Sequence, residues 1–219
     1  MKNKYKTLII LFILTGCLLM YFVEAVISPS YFYKSITKIF IFGGLYLLYT
    51  KTIHLNTIKN KSKLKKSVIF LGISVYFLIL LAYIVTKNFY DFSAILDSLN
   101  EININKTNFL FVAIYISFIN SFLEELFFRK LGFLYLKNVS SKVFATFFSS
   151  FMFSLYHISI IKGWFSPALF VLILVALFIC SLFFNFIDCK NDSLLPSWII
   201  HISANLSINT IGLCLFMCV

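Results

Sequence analysis

The sequence predicts an all-α fold, a polytopic bundle of about seven transmembrane helices. Hydrophobic residues make up 61% of the 219 residues and charged residues only 12%, whereas a soluble domain is about half apolar and about a quarter charged. The apolar residues form runs long enough to cross the hydrocarbon, which takes ~20 residues of helix. Lysines that punctuate these runs supply the net charge of +11. This pattern excludes soluble, disordered and nucleic-acid-binding proteins and predicts a multi-pass membrane protein.

Seven apolar runs define the predicted helices. They cover about 8–28, 31–50, 67–86, 108–136, 143–161, 166–187 and 194–217. The second is the weakest span because it contains Lys34 and Lys38, which could snorkel toward a membrane surface, unless the segment starts deeper. The connection 87–106 is either a plain loop or an apolar stripe lying on the membrane surface. The residues of that stripe would be Phe89, Phe92, Leu96 and Leu99.

Basic residues predict the orientation. With the N-terminus inside, fourteen of the nineteen basic residues lie in inner segments and three in outer ones, which favours N-in and C-out. Six of the fourteen lie in 51–66, which we interpret as a lipid-facing loop. We find no repeat and no second domain, so 1–219 is predicted to be a single integral-membrane domain, with N-terminal spans and loops in 1–106.

Composition also bears on origin and processing. Arg129 is the only arginine, and lysine, asparagine and isoleucine are abundant, which we interpret as the codon bias of an AT-rich genome. The expected location is therefore a bacterial cytoplasmic membrane. Leu14 to Cys17 is similar to a lipoprotein processing site, but the apolar run continues to Ile27. That continuation favours an uncleaved helix over cleavage at Cys17.

Ionisable side chains inside the spans are the most informative residues, because each costs roughly 2.5–3.5 kcal/mol or more near the bilayer centre. The acidic ones are Glu24, Glu124 and Glu125, and the histidines are His157 and His201. Such residues usually face the interior of the bundle and mark a functional site. Glu24 has no partner that the sequence identifies, and we expect it to serve helix packing.

The fourth predicted helix carries two adjacent glutamates. Glu125 and Arg129 are spaced i, i+4, so they can pair on one helix face. Glu124 is rotated about 100° from Glu125, and nothing in the same helix obviously pairs with it. An unpaired carboxyl group in an apolar site is suited to general base and acid chemistry on a water molecule.

Polar groups on three helices lie at compatible depths. At ~1.5 Å per residue, Glu124 lies about 20 Å, His157 about 22 Å, Asn205 about 18 Å and His201 about 12 Å from the inner ends of their helices. His157 follows Phe153 at i, i+4, and Asn205 follows His201 at the same spacing. These groups can line one polar cavity, which predicts an active site inside the bundle.

Three motifs in order carry a family resemblance. Glu124-Glu125-x-x-x-Arg129, Phe153-x-x-x-His157 and His201-x-x-x-Asn205 resemble the motif set of the CPBP family, the CAAX-prenyl-protease and bacteriocin-processing (Abi) intramembrane endopeptidases. The resemblance covers about 107–210, which would be the catalytic core. Lys130 departs from the pattern, since many members have glycine after the arginine.

The resemblance implies an intramembrane endopeptidase that hydrolyses a peptide bond of a membrane-associated peptide or protein. Glu124 and His157 would activate the attacking water, and His201 and Asn205 would polarise the carbonyl and stabilise the oxyanion. Glu125 and Arg129 would be a supporting ion pair. No HExxH motif occurs, but Glu124, His157 and His201 are candidate ligands for zinc with one open position.

Two other interpretations remain at this stage. A catalytically silent member of the same fold would act by binding a partner, for instance in bacteriocin self-immunity or regulation. A proton-coupled transporter would use the glutamates and histidines as a relay, but the absence of repeats and of matching broken helices argues against it.

Overall fold

The computed structural model describes residues 2–52, 65–89 and 93–218, and these residues fold into helices without strands. Within these described ranges, six helices are long and apolar enough to cross a membrane. They are α1 (Lys2–Ile27), α3 (Lys66–Thr86), α5 (Phe109–Val139), α6 (Lys142–Ile161), α7 (Pro167–Asn191) and α8 (Leu195–Cys218). The predicted all-α polytopic bundle is confirmed, and five of these helices match their predicted ranges within about four residues, whereas α1 begins six residues earlier than predicted.

The helix α2 (31–52) forms where it was predicted, but it is not among the apolar candidate spans of the described residues. Its first turns carry Lys34 and Lys38, which lower its hydropathy. Both lysines are buried rather than directed to a membrane surface, so the expectation that they snorkel is wrong. The count of seven spans and the N-in orientation remain predictions.

A further helix, α4 (Ser93–Glu101), lies in the connection for which a loop or a surface stripe was expected. Leu96 and Leu99 pack with Ile104, Phe109 and Phe216, so this part of the stripe covers the end of α5 and α8. Phe89 is exposed. Phe92, another residue of the predicted stripe, lies outside the described residues. Most of the predicted lysine-rich loop, 53–64, also lies outside them.

The bundle has an aromatic core near the middle of α5. Phe42 of α2 stacks on Phe127 at 4.1 Å between ring centroids, and Phe128 contacts both rings edge-on. Ile9 and Ile13 of α1 pack into the same cluster. Apolar contact of this kind brings the N-terminal helices α1 and α2 against the helix that carries the two adjacent glutamates.

Close contact between α3 and α8 depends on small residues. A Cβ atom at Gly72 of α3 would lie 2.7 Å from Ser203 Oγ of α8, so only glycine allows the two backbones to approach this closely. Most of α3 and α7 faces outward, with exposed apolar side chains such as Phe70 and Phe77. These faces are suited to lipid contact, and the polar groups collect inside.

Wide helical turns interrupt α5. Tyr115–Asn120 and Glu125–Tyr135 are π-helical, and the short α-helical segment Ser121–Glu124 lies between them. Turns of this kind are rare, commonly lie at functional sites and redirect the side chains that follow. The carbonyl oxygens of Ile116 and Phe118 accept the backbone N–H of Ser121 and also accept hydrogen bonds from side chains of α8, which joins the two helices.

Candidate active site

Glu124 is the centre of a buried polar cluster formed by three helices. Its side chain is 2% exposed, and its Oε2 atom has no hydrogen-bond partner. Oε2 faces Nε2 of His157 on α6 at 3.9 Å and Nε2 of His201 on α8 at 3.7 Å. The structure therefore brings together the carboxylate and both imidazoles whose depths along their helices were predicted to match.

The other nitrogen of each imidazole is held by a fixed acceptor. His157 Nδ1 lies 2.8 Å from the carbonyl oxygen of Phe153, one turn earlier in α6. A carbonyl oxygen only accepts, so Nδ1 carries the proton and Nε2 of the neutral ring presents a lone pair toward Glu124. His157 sits where the regular helical winding of α6 ends, at φ −75° and ψ −13°, which directs its ring into the bundle.

His201 is oriented by the second glutamate. Its Nδ1 lies 2.8 Å from Glu125 Oε1, so it donates a hydrogen bond to that carboxylate. This contact fixes the ring with Nε2 toward Glu124, in the same way that a carboxylate orients histidine in hydrolase triads. The two adjacent glutamates thus face opposite nitrogens of His201, and each has a further partner of its own, His157 for Glu124 and Arg129 for Glu125.

The predicted ion pair between Glu125 and Arg129 is present. Arg129 Nε lies 3.2 Å from Glu125 Oε2, and both side chains are fully buried. The guanidinium group also lies over the ring of Phe153 at 4.3 Å and that of Phe184 at 5.3 Å, which adds cation–π attraction. Phe153 of the second motif therefore has a direct contact with the arginine of the first.

Sequence reasoning missed the partners of the other Glu124 oxygen. Lys38 Nζ of α2 lies 2.6 Å from Oε1, and Asn120 Nδ2, one turn earlier in α5, donates to the same atom at 3.0 Å. The expectation that nothing in the same helix pairs with Glu124 is therefore wrong. The i, i+4 spacing of Asn120 and Glu124 was a visible signal, whereas Lys38 is 86 residues away in sequence.

Asn205 has a different environment from the other predicted site residues. It is half-buried, and its amide group donates to the carbonyl oxygen of Ile116 at 3.1 Å. That carbonyl belongs to the first wide turn of α5. Asn205 thus joins α8 to α5 next to the cluster, and its predicted role toward an oxyanion remains a proposal.

Glu24 was expected only to serve helix packing, and the structure identifies its partner. Lys34 Nζ lies 2.8 Å from Glu24 Oε2, with both side chains mostly buried. Lys34 and Lys38 are one turn apart on α2, so this helix supplies one ammonium group to each of two intramembrane glutamates.

The sequence left zinc open, with Glu124, His157 and His201 as candidate ligands. Glu124, His157 and His201 offer atoms of the type that zinc accepts, but no group of three or more such side chains among the described residues is arranged to hold a metal ion. Lys38 gives a physical reason, since its ammonium group is already bound to the same carboxylate and would repel a nearby cation. The chemistry below therefore uses only side chains of this chain.

Comparison with known proteins agrees with the motifs. Residues 106–207 match the family described as type II CAAX prenyl endopeptidase Rce1-like. No curated protein and no solved structure matches the chain. The matched segment contains both adjacent glutamates, both intramembrane histidines and Asn205, and it lies among helices suited to a membrane. This segment, just under half of the chain, is similar to the CAAX prenyl endopeptidase (CPBP) family of membrane proteases.

Proposed function

We propose that this protein is an intramembrane endopeptidase that cleaves a peptide bond of a membrane-associated peptide or protein with a water molecule activated by Glu124 and His157. One observation carries the proposal. The free Oε2 atom of Glu124 is buried and faces the Nε2 atoms of His157 and His201 at 3.9 and 3.7 Å. An acceptor of this kind, shielded from lipid by protein, is suited to hold and deprotonate water.

The reaction follows from the positions of the lone pairs. A water molecule placed between Glu124 Oε2 and His157 Nε2 donates one hydrogen to each. As its oxygen bonds to the scissile carbonyl carbon, the proton on the Glu124 side passes to Oε2 and the carbonyl electron pair moves onto oxygen. When the tetrahedral intermediate collapses, the C–N bond breaks and Glu124 returns its proton to the leaving amine. The second hydrogen of the water passes to His157 Nε2, so the products are a carboxylate and an amine, with one proton left on His157.

His201 and Asn205 are proposed to stabilise the oxyanion. Since Nδ1 of His201 donates to Glu125, Nε2 donates a second hydrogen bond when the ring is an imidazolium. The Glu125 carboxylate lies 2.8 Å from Nδ1 and holds the ring in position. Asn205 holds Ile116 with its amide group, which has a second N–H available. A single oxyanion donor contributes about 10²–10³ to kcat.

The substrate and the membrane follow from chemistry and composition. The cluster lies among spanning helices, so a substrate must itself be held at the membrane. Precursors of peptide pheromones or bacteriocins are candidates suggested by the family. We infer a bacterial cytoplasmic membrane from the abundance of lysine, asparagine and isoleucine, which is typical of an AT-rich genome.

The test compares membrane peptides from cells that express the wild type, Glu124→Gln or His157→Gln. We expect both variants to accumulate in the membrane and to lose cleavage by at least about 10²-fold, the lower range of general acid–base catalysis. Glu101→Gln, which changes an exposed glutamate of α4, is the control and should cleave normally. Wild-type cleavage by both site variants would show that the proposal is wrong.

A further inference from the structure

Lys38 is a buried cation that the three family motifs do not include. It lies on α2, outside the family match that begins at residue 106, and it is 5% exposed. Its Nζ atom contacts Glu124 Oε1 at 2.6 Å and Asn120 Oδ1 at 2.5 Å. A lysine that only snorkelled would direct this group toward water at a membrane surface.

Aromatic rings hold the same ammonium group from two further directions. Nζ lies 5.4 Å from the ring centroid of Phe42 and 4.9 Å from that of Tyr156. Phe42 is one turn later on α2, and Tyr156 directly precedes His157 on α6. These cation–π contacts offset part of the cost of burying the charge, and they fix its position relative to α5 and α6.

The contacts of Lys38 divide the carboxylate of Glu124 into two unlike oxygens. Oε1 accepts hydrogen bonds from Lys38 and from Asn120 at 3.0 Å, whereas Oε2 accepts none. Because bonds to an ionised donor are strong and short, they fix the rotation of the carboxylate. The oxygen left free is the one that faces His157 and His201.

Charge balance leads to the same conclusion. Two adjacent carboxylates buried together repel each other, and an uncompensated buried charge is costly. Arg129 pairs with Glu125 at 3.2 Å, so Glu124 needs a cation of its own. Among the described residues, Lys38 is the one lysine or arginine whose side-chain nitrogen lies within 4.0 Å of the Glu124 carboxylate.

We infer that Lys38 is a positioning residue of the proposed peptidase, which holds the Glu124 carboxylate ionised and turns Oε2 toward the two imidazoles. The inference rests on the proposed function. It assigns a part of the site to the N-terminal half of the chain, in which the sequence shows no family motif.

The kinetic test uses Lys38→Met, Lys38→Arg and the control Lys34→Met. The control removes a buried, ion-paired lysine one turn away whose partner is Glu24. We expect Lys38→Met to lower kcat by about 10²-fold, as for loss of a general base, with KM within about threefold. Lys38→Arg keeps a positive charge, so its kcat should be at least about tenfold higher than that of Lys38→Met. The kcat of Lys34→Met should stay within about threefold of the wild-type value.

A second measurement does not require activity. We expect Lys38→Met to lower Tm in the wild-type background. In the Glu124→Gln background it should lower Tm by about half as much or less, because the stability effects of mutations at contacting residues are not additive. If Lys38→Met alone fails to fold, recovery of folded protein in the Glu124→Gln background is the supporting result.

Three results would overturn the inference: a kcat of Lys38→Met within about threefold of wild type, a raised KM at unchanged kcat, or equal effects of Lys38→Met on stability in both backgrounds. If the wild type itself cleaves no peptide, the proposed function fails, while the stability comparison still measures the contact between Lys38 and Glu124. The two failures are therefore distinguishable.

Discussion

The fully buried ion pair between Glu125 and Arg129 gives a stability prediction whose magnitude follows from the geometry. Arg129→Met removes the guanidinium group that lies 3.2 Å from Glu125 Oε2 and keeps an unbranched side chain of similar reach. His201 at 2.8 Å is then the remaining partner of the Glu125 carboxylate. Leaving one member of a buried pair uncompensated costs about 3–5 kcal/mol.

This loss is large on the scale of a protein domain, because the whole free energy of unfolding is typically about 5–15 kcal/mol. The double variant Glu125→Gln with Arg129→Met removes both charges, so it should recover about 2 kcal/mol or more of the loss. Lys137→Met is the matched control. Its partner is Asp192, which is 61% exposed, and an exposed pair contributes about 1 kcal/mol or less.

The assay is equilibrium unfolding in detergent micelles, followed by tryptophan fluorescence. Trp198 is a suitable reporter because its indole nitrogen donates to Ser121 Oγ at 3.1 Å, close to the cluster. The reasoning would be refuted if Arg129→Met lost no more free energy of unfolding than Lys137→Met. It would also be refuted if the double variant were no more stable than Arg129→Met alone.

Three further predictions concern catalysis, packing and metal. Asn205→Ala should lower kcat by about 10²–10³-fold in steady-state kinetics if its free N–H binds the oxyanion; an unchanged kcat would limit Asn205 to its contact with Ile116. Gly72→Val should lower Tm and the yield of monodisperse protein, since a Cβ there would meet Ser203 Oγ at 2.7 Å. Gly43→Ala is the control and should lower neither, because a Cβ at Gly43 would have no neighbouring atom within 4 Å. Peptidase activity should survive a strong chelator, with less than about one metal ion per ten chains by elemental analysis; activity lost to the chelator and restored by zinc would contradict this.

The helices could be predicted from the sequence because hydropathy is a local property. Runs of about twenty apolar residues allow few folds in a bilayer other than helices, and the observed bounds agree with the predicted ones within about four residues, except at the start of α1, which lies six residues earlier. The pairing of Glu125 with Arg129 is also local, since an i, i+4 spacing puts two side chains on one face. Depth along each helix was enough to predict that Glu124 could meet His157 and His201.

Contacts between helices distant in sequence could not be predicted in this way. A hydropathy pattern records that Lys34 and Lys38 are costly in an apolar helix, but it does not show which carboxylate compensates each one. Their partners Glu24 and Glu124 were identified only when α1, α2 and α5 had been packed together. The wide turns of α5 were also missed, because no spacing of apolar residues in the sequence signals them.

The sequence by itself determined that this chain is a helical membrane protein with a small set of acidic, imidazole and amide groups in three ordered motifs. The tertiary structure alone decided which oxygen of Glu124 is free, and that α2 provides the cation for the other. The physical reason is that burying apolar surface fixes where each helix runs, whereas a buried charge is tolerated only beside a partner, and that partner is chosen by packing in three dimensions.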